Sequence, residues 1–281
     1  MQKTTKVRFV SAHQKSISKT VAIFSNMFID THCHLFERTD NQDVLKRAKQ
    51  DNIIKMIDVA FNTASSFSCR DFSSLNQGVY FTAGIHPDSA EEVNDNSLLD
   101  VKKLSLDKKC VAIGEIGLDY HYEGFDKNTQ IDAFIRQIDL ADEVGLPFQV
   151  HSRDCTKDIV DVLLAKKDKI NNGAIMHCYS GSVETAKILL DLGFYISFSG
   201  TLTFKNARAL PDVCAYLPFD RILSETDSPY LAPVPLRGTV NEPKNVKFVT
   251  EKIAQIKGVS VEEISAKIIQ NALTVMPKLK D

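Results

Sequence analysis

The chain contains 281 residues, with 34 Lys and Arg against 36 Asp and Glu, and its formal net charge is -2 at pH 7. This length corresponds to one large domain or two small ones, and the charge balance excludes a protein that attracts nucleic acid or anionic membrane through a global positive field. Hydrophobic residues make up 43% and charged residues 25% of the chain, which excludes the disordered, collagenous and fibrous classes.

The first 26 residues differ in composition from the rest of the chain. They contain no Asp or Glu, and their basic residues are Lys3, Lys6, Arg8, Lys15 and Lys19. We interpret residues 1–26 as a flexible N-terminal extension and Met27 as the working start, because the first apolar strand follows it directly. An organelle transit peptide is the alternative interpretation. Residues 27–281 are predicted to form a single domain.

From Met27 onward, short apolar runs alternate with amphipathic segments. One such segment, 130–144, has apolar residues at near-helical spacing. The alternation of strands and helices predicts a parallel sheet. The eight predicted strands lie near residues 28–32, 53–60, 79–85, 110–115, 146–150, 173–177, 194–198 and 221–225.

The spacing of these strands predicts a closed barrel. Residues 27–281, divided among eight strand–helix units, give about 32 residues per unit. The total length agrees with the ~250 residues typical of a TIM barrel. We therefore predict an α/β fold of the (β/α)8 TIM-barrel type. An open doubly wound sheet is the alternative, but no Gly-x-Gly-x-x-Gly motif supports dinucleotide binding, and no organic cofactor is expected.

Apolar runs and cysteines indicate the compartment. The apolar runs are strand-sized, far below the ~18–20 residues of a membrane span, so no membrane partner is expected. The 6 cysteines are scattered and form no Cys-x-x-Cys pair, which favours reduced thiols and a cytoplasmic location.

Side chains that can bind metal fall at the predicted carboxyl ends of the strands. In a closed barrel these ends converge on one mouth, where catalytic residues lie. We therefore expect one pocket to collect residues that are distant in sequence. These residues are His32, His34, His86, Glu115, His151, His177 and Asp227.

Local patterns support this expectation. His32 and His34 are two apart on a strand, so both imidazoles point to the same side. Glu115 stands in an apolar run, where an unpaired carboxylate is costly. Taken singly, each histidine could be a core residue, Glu115 an ion-paired side chain and Asp227 a helix cap. Together, these structural roles would require several independent coincidences at one rim, which favours a functional site.

The motifs that contain these residues are long and ordered along the chain. They are Asp30-Thr31-His32-Cys33-His34, Gly84-Ile85-His86-Pro87, Gly114-Glu115-Ile116-Gly117-Leu118-Asp119-Tyr120, His151-Ser152-Arg153, His177-Cys178-Tyr179-Ser180-Gly181 and Glu225-Thr226-Asp227-Ser228-Pro229-Tyr230-Leu231. From about residue 27 to 273, the sequence resembles the TatD family of metal-dependent deoxyribonucleases.

The resemblance implies a barrel of the amidohydrolase superfamily that hydrolyses DNA with two divalent metal ions. It implies one ion held by His32, His34, Glu115 and Asp227. It implies a second ion held by Glu115, His151 and His177, with Glu115 bridging. Asp227 would also take the proton of the attacking water, and His86 would lie near the substrate.

Metal identity follows from two lines of argument that disagree. The resemblance suggests Mg2+. Mg2+, however, prefers sites made of oxygen ligands only, whereas imidazole ligands suit Zn2+ or Mn2+. We expect activity with Mg2+ or Mn2+, with Zn2+ as a further candidate.

Substrate contacts need local cations because the net charge supplies none. The candidates are Arg153, Lys205 and Arg237, in loops after the fifth, seventh and eighth predicted strands, with solvated loop charges as the alternative. Tyr179 and Phe204 are candidates for stacking on unpaired bases, or for packing. A narrow barrel mouth favours single-stranded or frayed DNA ends and therefore an exonuclease.

Two other functions remain as alternatives. The same barrel could cleave an amide, lactone or ester bond, including an aminoacyl ester, although the resemblance places Glu115 where many such enzymes carry a modified lysine. A metal-stabilised scaffold or single-strand binder is the second alternative. The presence of Asp227 beside a full set of ligands favours catalysis.

Overall fold

The computed structural model describes residues 26–280, so the predicted extension lies outside the described residues except for Asn26. Eight parallel strands form one sheet in chain order. The strands are β1 (Phe28–Cys33), β2 (Ile53–Asp58), β3 (Val79–Ala83), β4 (Cys110–Asp119), β5 (Phe148–Arg153), β6 (Ala174–Met176), β7 (Tyr195–Phe198) and β8 (Ile222–Ser224).

Every strand is followed by at least one helix, as the alternating pattern predicts. The α-helices of the described residues are α1 (Asn41–Gln50), α2 (Thr63–Leu75), α3 (Asp95–Ser105), α4 (Lys127–Val144), α5 (Thr156–Ala165), α6 (Val183–Asp191), α7 (Leu210–Tyr216), α8 (Val246–Lys257) and α9 (Val261–Val275). Short 3-10 helices span Pro87–Glu92, Lys167–Lys169, Gly200–Thr203, Phe219–Arg221, Pro243–Asn245 and Pro277–Lys280.

The first strand meets the segment after the last one and closes the sheet. The backbone N–H of His34 donates to the carbonyl of Ser228 at 2.8 Å, and that of Asp227 donates to the carbonyl of His32 at 2.9 Å. Cys33 and Ser228 form a parallel bridge. The predicted (β/α)8 TIM barrel is thereby confirmed, as a nearly closed barrel with surrounding helices.

The strands are buried on both faces, which explains their almost continuous apolar sequences. Every position of β4 is buried. The largest fully buried side chains include Phe81, Phe134, Phe148, Phe194 and Phe198. Among residues 26–280, no helix has the length and apolar character that crossing a membrane requires.

Helix α4 and strand β4 are longer than predicted. Helix α4 begins three residues before the predicted 130, because the side chain of Asp126 caps it by accepting from the backbone N–H of Thr129 at 2.7 Å. Strand β4 continues past Glu115 to Asp119, paired with β5. Gly117 permits this pairing: its φ is 145°, and an added Cβ would lie 2.1 Å from the carbonyl oxygen of His151.

Candidate metal centre

All six predicted metal ligands lie at the mouth formed by the carboxyl ends of the strands. His32, Glu115 and His151 lie within β1, β4 and β5. The other three, His34, His177 and Asp227, follow β1, β6 and β8. Five of the six line a cavity of about 530 Å³, and the ring of His32 is fully buried. The barrel therefore brings together every residue predicted to bind metal.

Glu115 connects two groups of ligands. One carboxylate oxygen, Oε2, lies 3.5 Å from Nε2 of His32. The other, Oε1, lies 2.8 Å from Nδ1 of His151 and 2.6 Å from Nε2 of His177. Because the two oxygens face different histidines, this carboxylate has the geometry to bridge two cations.

Asp227 completes the group around β1. Its Oδ1 lies 3.7 Å from Nε2 of His32 and 3.5 Å from Nε2 of His34. The ligand atoms of these three residues lie within 4.8 Å of one another. The two imidazoles therefore face the same side, as their spacing on the strand predicts.

The second ring nitrogen of each β1 histidine is held by a neutral acceptor. Nδ1 of His32 lies 3.1 Å from Oε1 of Gln149, whose amide nitrogen donates to the carbonyl of Thr31. Nδ1 of His34 lies 2.9 Å from the carbonyl oxygen of Val59. An acceptor at Nδ1 fixes the proton there, so each ring presents the lone pair of Nε2 to the cavity.

The two remaining histidines are held by carboxylates instead. Nε2 of His151 lies 2.9 Å from Oδ2 of Asp119, and Nδ1 of His177 lies 3.1 Å from Oε1 of Glu225. His151 therefore presents Nδ1 and His177 presents Nε2 to Glu115. An anionic partner raises the basicity of a metal-binding imidazole, so this pair is the stronger donor set.

The residues present fit a bound divalent cation. Nε2 of His32 is buried and has no hydrogen-bond partner among the described residues. A buried polar atom without a partner is costly, and this atom faces the carboxylates of Glu115 and Asp227. A set of imidazole nitrogens and carboxylate oxygens suits Zn2+ or Mn2+, and the carboxylates also suit Mg2+.

Charge within the site supports the same conclusion. Burial alone would raise the pKa of Asp227, but the hydrogen bond from His34 and the neighbouring histidine charges lower it. Burial alone would lower the pKa of His34, but Asp227 raises it to about 9. A cation and a proton therefore compete for these side chains, and the carboxylate of Asp227 is available in its ionised form.

His86 has the geometry of a substrate contact. Its Nδ1 accepts from the backbone N–H of Asp88 at 3.1 Å, and burial lowers its pKa to about 4. The neutral ring therefore carries its proton on Nε2. A neutral N–H can donate to a phosphate oxygen, and the ligand atoms of His86, Asp119 and His151 also lie within 4.8 Å of one another.

The predicted substrate cations occupy different places. Arg153 lines the cavity and is the single Arg or Lys among its described lining residues. Lys205 and Arg237 follow β7 and β8 but do not line it, and the guanidinium of Arg237 lies 3.7 Å above the ring of Phe204. The stacking prediction for Tyr179 is wrong, because its ring is only 4% exposed.

Comparison with known proteins identifies the family. The model for TatD-related DNases matches residues 29–277. The chain is 40% identical over 249 residues to the uncharacterized metal-dependent hydrolase YabD of Bacillus subtilis, covering 88% of this chain and 97% of that protein. The chain belongs to the TatD family. Its resemblance to that family, predicted from the motifs, is confirmed.

Other TatD relatives agree with this assignment. The uncharacterized metal-dependent hydrolase YcfH of Escherichia coli is 41% identical over 244 residues, covering 84% of this chain and 91% of that protein. The crystal structure of YjjV, a TatD homologue from Escherichia coli, superposes with a TM-score of 0.84 at 29% identity, covering 89% of this chain and 98% of that chain. The protein is a metal-dependent hydrolase with side-chain clusters that can bind metal.

Three residues of this TatD site were not predicted from the sequence: Asp119, Gln149 and Glu225. Each lies within hydrogen-bond distance of a histidine that is predicted to bind metal. Asp119 lies four residues after Glu115. Gln149 lies two residues before His151, and Glu225 lies two residues before Asp227. The same-side rule would have found Asp119 and Gln149, which share strands with Glu115 and His151. It does not reach Glu225, because Glu225 and Asp227 follow the end of β8 and Asp227 has a φ of 56°.

Replacing Asp119 with Asn or Glu225 with Gln is expected to weaken metal binding by about 10- to 100-fold, because each change removes the anionic partner of a metal-binding imidazole. Titration calorimetry with Mn2+ measures the effect. Glu184→Gln, which changes an exposed carboxylate on α6, is the matched control. An affinity equal to that of the wild type in both variants would contradict the assigned role of these carboxylates.

Proposed function

We propose that the protein is a metal-dependent deoxyribonuclease that hydrolyses phosphodiester bonds, acting as an exonuclease on single-stranded or frayed DNA ends. One observation carries the proposal. Glu115 stands between two groups of ligands at the base of a cavity that also presents Arg153 and the Nε2 of His86. The description of the matched family as DNases supports the same substrate.

Two divalent ions are proposed, Mg2+ or Mn2+ for activity, with Zn2+ as a further candidate. The ligands of the first would be His32, His34, Glu115 and Asp227, and those of the second would be Glu115, His151 and His177. When bound, such ions lower the pKa of water and stabilise negative charge on phosphate.

Asp227 is the proposed proton acceptor for the attacking water. Burial acts to raise the pKa of this carboxyl, but the hydrogen bond from His34 and the charges of the neighbouring histidines together lower it, so the carboxylate is ionised. Its side chain is 16% exposed and lines the cavity, so its free oxygen is accessible to water. A positioned carboxylate of this kind contributes about 10²- to 10⁴-fold to a hydrolysis rate.

Arg153 and His86 are the proposed phosphate contacts. Arg153 follows His151 by two residues at the end of β5, which places its charge at the rim of the cavity. The ring of His86 contacts that of His151, with centroids 4.5 Å apart. A guanidinium and a neutral imidazole N–H would thus bind phosphate oxygens beside the second group of ligands.

Exonuclease action fits the position of the site inside the barrel mouth. The groups that bind and hydrolyse the phosphate lie at strand ends rather than on a flat surface, and the cavity of about 530 Å³ falls within the range of about 300–1,000 Å³ for small-ligand pockets. A terminal nucleotide fits this space more readily than the middle of a duplex.

The affinity for single-stranded DNA is expected to depend weakly on salt. With one Arg or Lys among the described residues that line the cavity, the slope of log K against log salt should be about -0.7 to -1.4, the value for one or two phosphate contacts. Fluorescence anisotropy with a labelled oligonucleotide and the Asp227→Asn variant, in which hydrolysis is expected to be slow, measures it. A slope steeper than about -4 would indicate an extended basic surface and contradict this site model.

The decisive test is hydrolysis of end-labelled single-stranded DNA by metal-stripped protein supplied with Mg2+, Mn2+ or Zn2+. Metal-dependent release of mononucleotides is expected. The same preparations should be offered amide, lactone and aminoacyl ester substrates. Hydrolysis of one of these without hydrolysis of DNA would replace the proposed function with that of another amidohydrolase-type enzyme.

A further inference from the structure

Two exposed tyrosines line the cavity at the barrel mouth. Tyr122 follows β4 and Tyr230 follows β8. With eight strands in sequential order around the ring, the ends of β4 and β8 lie on opposite sides of it. Both rings line the same cavity as Glu115 and Asp227, and they are 60% and 56% exposed.

Both tyrosines are held in place. Arg153 lies over the ring of Tyr122, with its guanidinium carbon 5.2 Å from the ring centroid. The backbone of Tyr230 donates to the carbonyl of Asp227 at 2.9 Å and accepts from the amide of Asn241 at 2.7 Å. The contact with Arg153 positions the ring of Tyr122, and the two hydrogen bonds position the backbone of Tyr230. Groups positioned in advance lose less conformational freedom when a planar ligand stacks on them.

The cavity offers little positive charge from Arg or Lys side chains, which makes base stacking important for DNA affinity. Arg153 is the single Arg or Lys of the described cavity lining. Beside Tyr122 lies a second groove of about 410 Å³. Its acidic residues include Asp88, Glu91, Glu92, Glu123 and Asp126. These carboxylates repel phosphates, so the groove disfavours a complementary strand next to the one in the cavity.

We propose that Tyr122 and Tyr230 form an aromatic clamp that stacks on the unpaired bases flanking the bound phosphate, so that the site selects single-stranded DNA over duplex. The inference rests on the proposed deoxyribonuclease function and adds the groups that recognise the bases. Stacking is tolerant of base identity, because every base has a flat π-face. The clamp therefore selects for strandedness and not for sequence.

The test compares two oligonucleotides of equal length, one with normal bases and one with tetrahydrofuran residues that lack bases at the cleaved end. We expect Tyr122→Leu and Tyr230→Leu each to lower kcat/KM on the normal oligonucleotide by about 5- to 150-fold, with little change on the base-free one. Tyr122→Phe and Tyr230→Phe should retain activity, since the rings remain. Tyr216→Leu, which changes an exposed tyrosine on α7, is the matched control.

Binding measured without cleavage separates the clamp from the proposed function. In the Asp227→Asn background, the normal oligonucleotide should bind more tightly than the base-free one, and the leucine substitutions should abolish the difference. Equal losses on both oligonucleotides, or no loss, would overturn the clamp even if DNA is hydrolysed. Base-dependent binding by these rings without hydrolysis by the wild type would refute the nuclease and leave the clamp standing.

Discussion

Asp227→Asn is expected to reduce the rate of DNA hydrolysis by about 10²- to 10⁴-fold. The substitution keeps the size of the side chain but removes the charge that accepts a proton and faces His32 and His34. Release of end label from single-stranded DNA, measured at saturating metal and substrate, tests the expectation. The loss should appear in kcat, because the proposed proton transfer occurs in the transition state.

Asp220→Asn is the matched control for this substitution. Asp220 is exposed and lies just before β8, at the end of the strand opposite the mouth. Its replacement should leave hydrolysis unchanged. If Asp227→Asn and Asp220→Asn both cleave DNA as fast as the wild type, either a contaminating nuclease or another proton acceptor is responsible. DNA cleavage by the metal-stripped wild type distinguishes these two cases.

Loss of a hydrogen-bond partner that orients a metal ligand weakens metal binding by about 10- to 100-fold. Glu115→Gln is expected to weaken metal binding by more than this. Its two oxygens face different groups of histidines, so the neutral amide affects both. Calorimetric titration with Mn2+ should show that the variant binds fewer ions than the wild type. Hydrolysis should fall to background.

Thermal unfolding provides a readout of the same change that is independent of activity. An ion at 100 times its dissociation constant stabilises a folded protein by about 2.7 kcal/mol. Added metal should therefore raise the Tm of the wild type clearly and that of Glu115→Gln little. Metal stoichiometry and Tm response equal to those of the wild type would show that Glu115 does not bridge the two groups.

The sequence was sufficient to predict the barrel because its strands are buried on both faces and so read as uninterrupted apolar runs. It was also sufficient to predict that His32, Glu115 and Asp227 lie together at the mouth, since they are polar residues placed at the ends of such runs. The length of β4 was not predictable in this way. Gly114 and Gly117 interrupt its apolar sequence, yet the strand continues because Gly117 allows the backbone of His151 to approach closely.

The supporting residues were harder to predict for a different reason. A buried Gln149 or Glu225 looks like an isolated polar residue until its partner is known, and the partner lies on another strand. Tyr122 and Tyr230 present the same difficulty, because exposure cannot be read from residue type. Tyr179, which belongs to the His177 motif, is buried with its hydroxyl donating to the carbonyl of Ser182.

The closure of the barrel also determines when the protein can become active. His32 and Asp227 belong to the first and last parts of the ring, and the backbone hydrogen bond between them joins its two ends. A growing chain on the ribosome carries His32, His34 and Glu115 long before residue 227 has been made. Such a chain, or one truncated before β8, has most of the ligands but no assembled centre. The candidate metal centre is therefore complete only when the segment after β8 has joined β1.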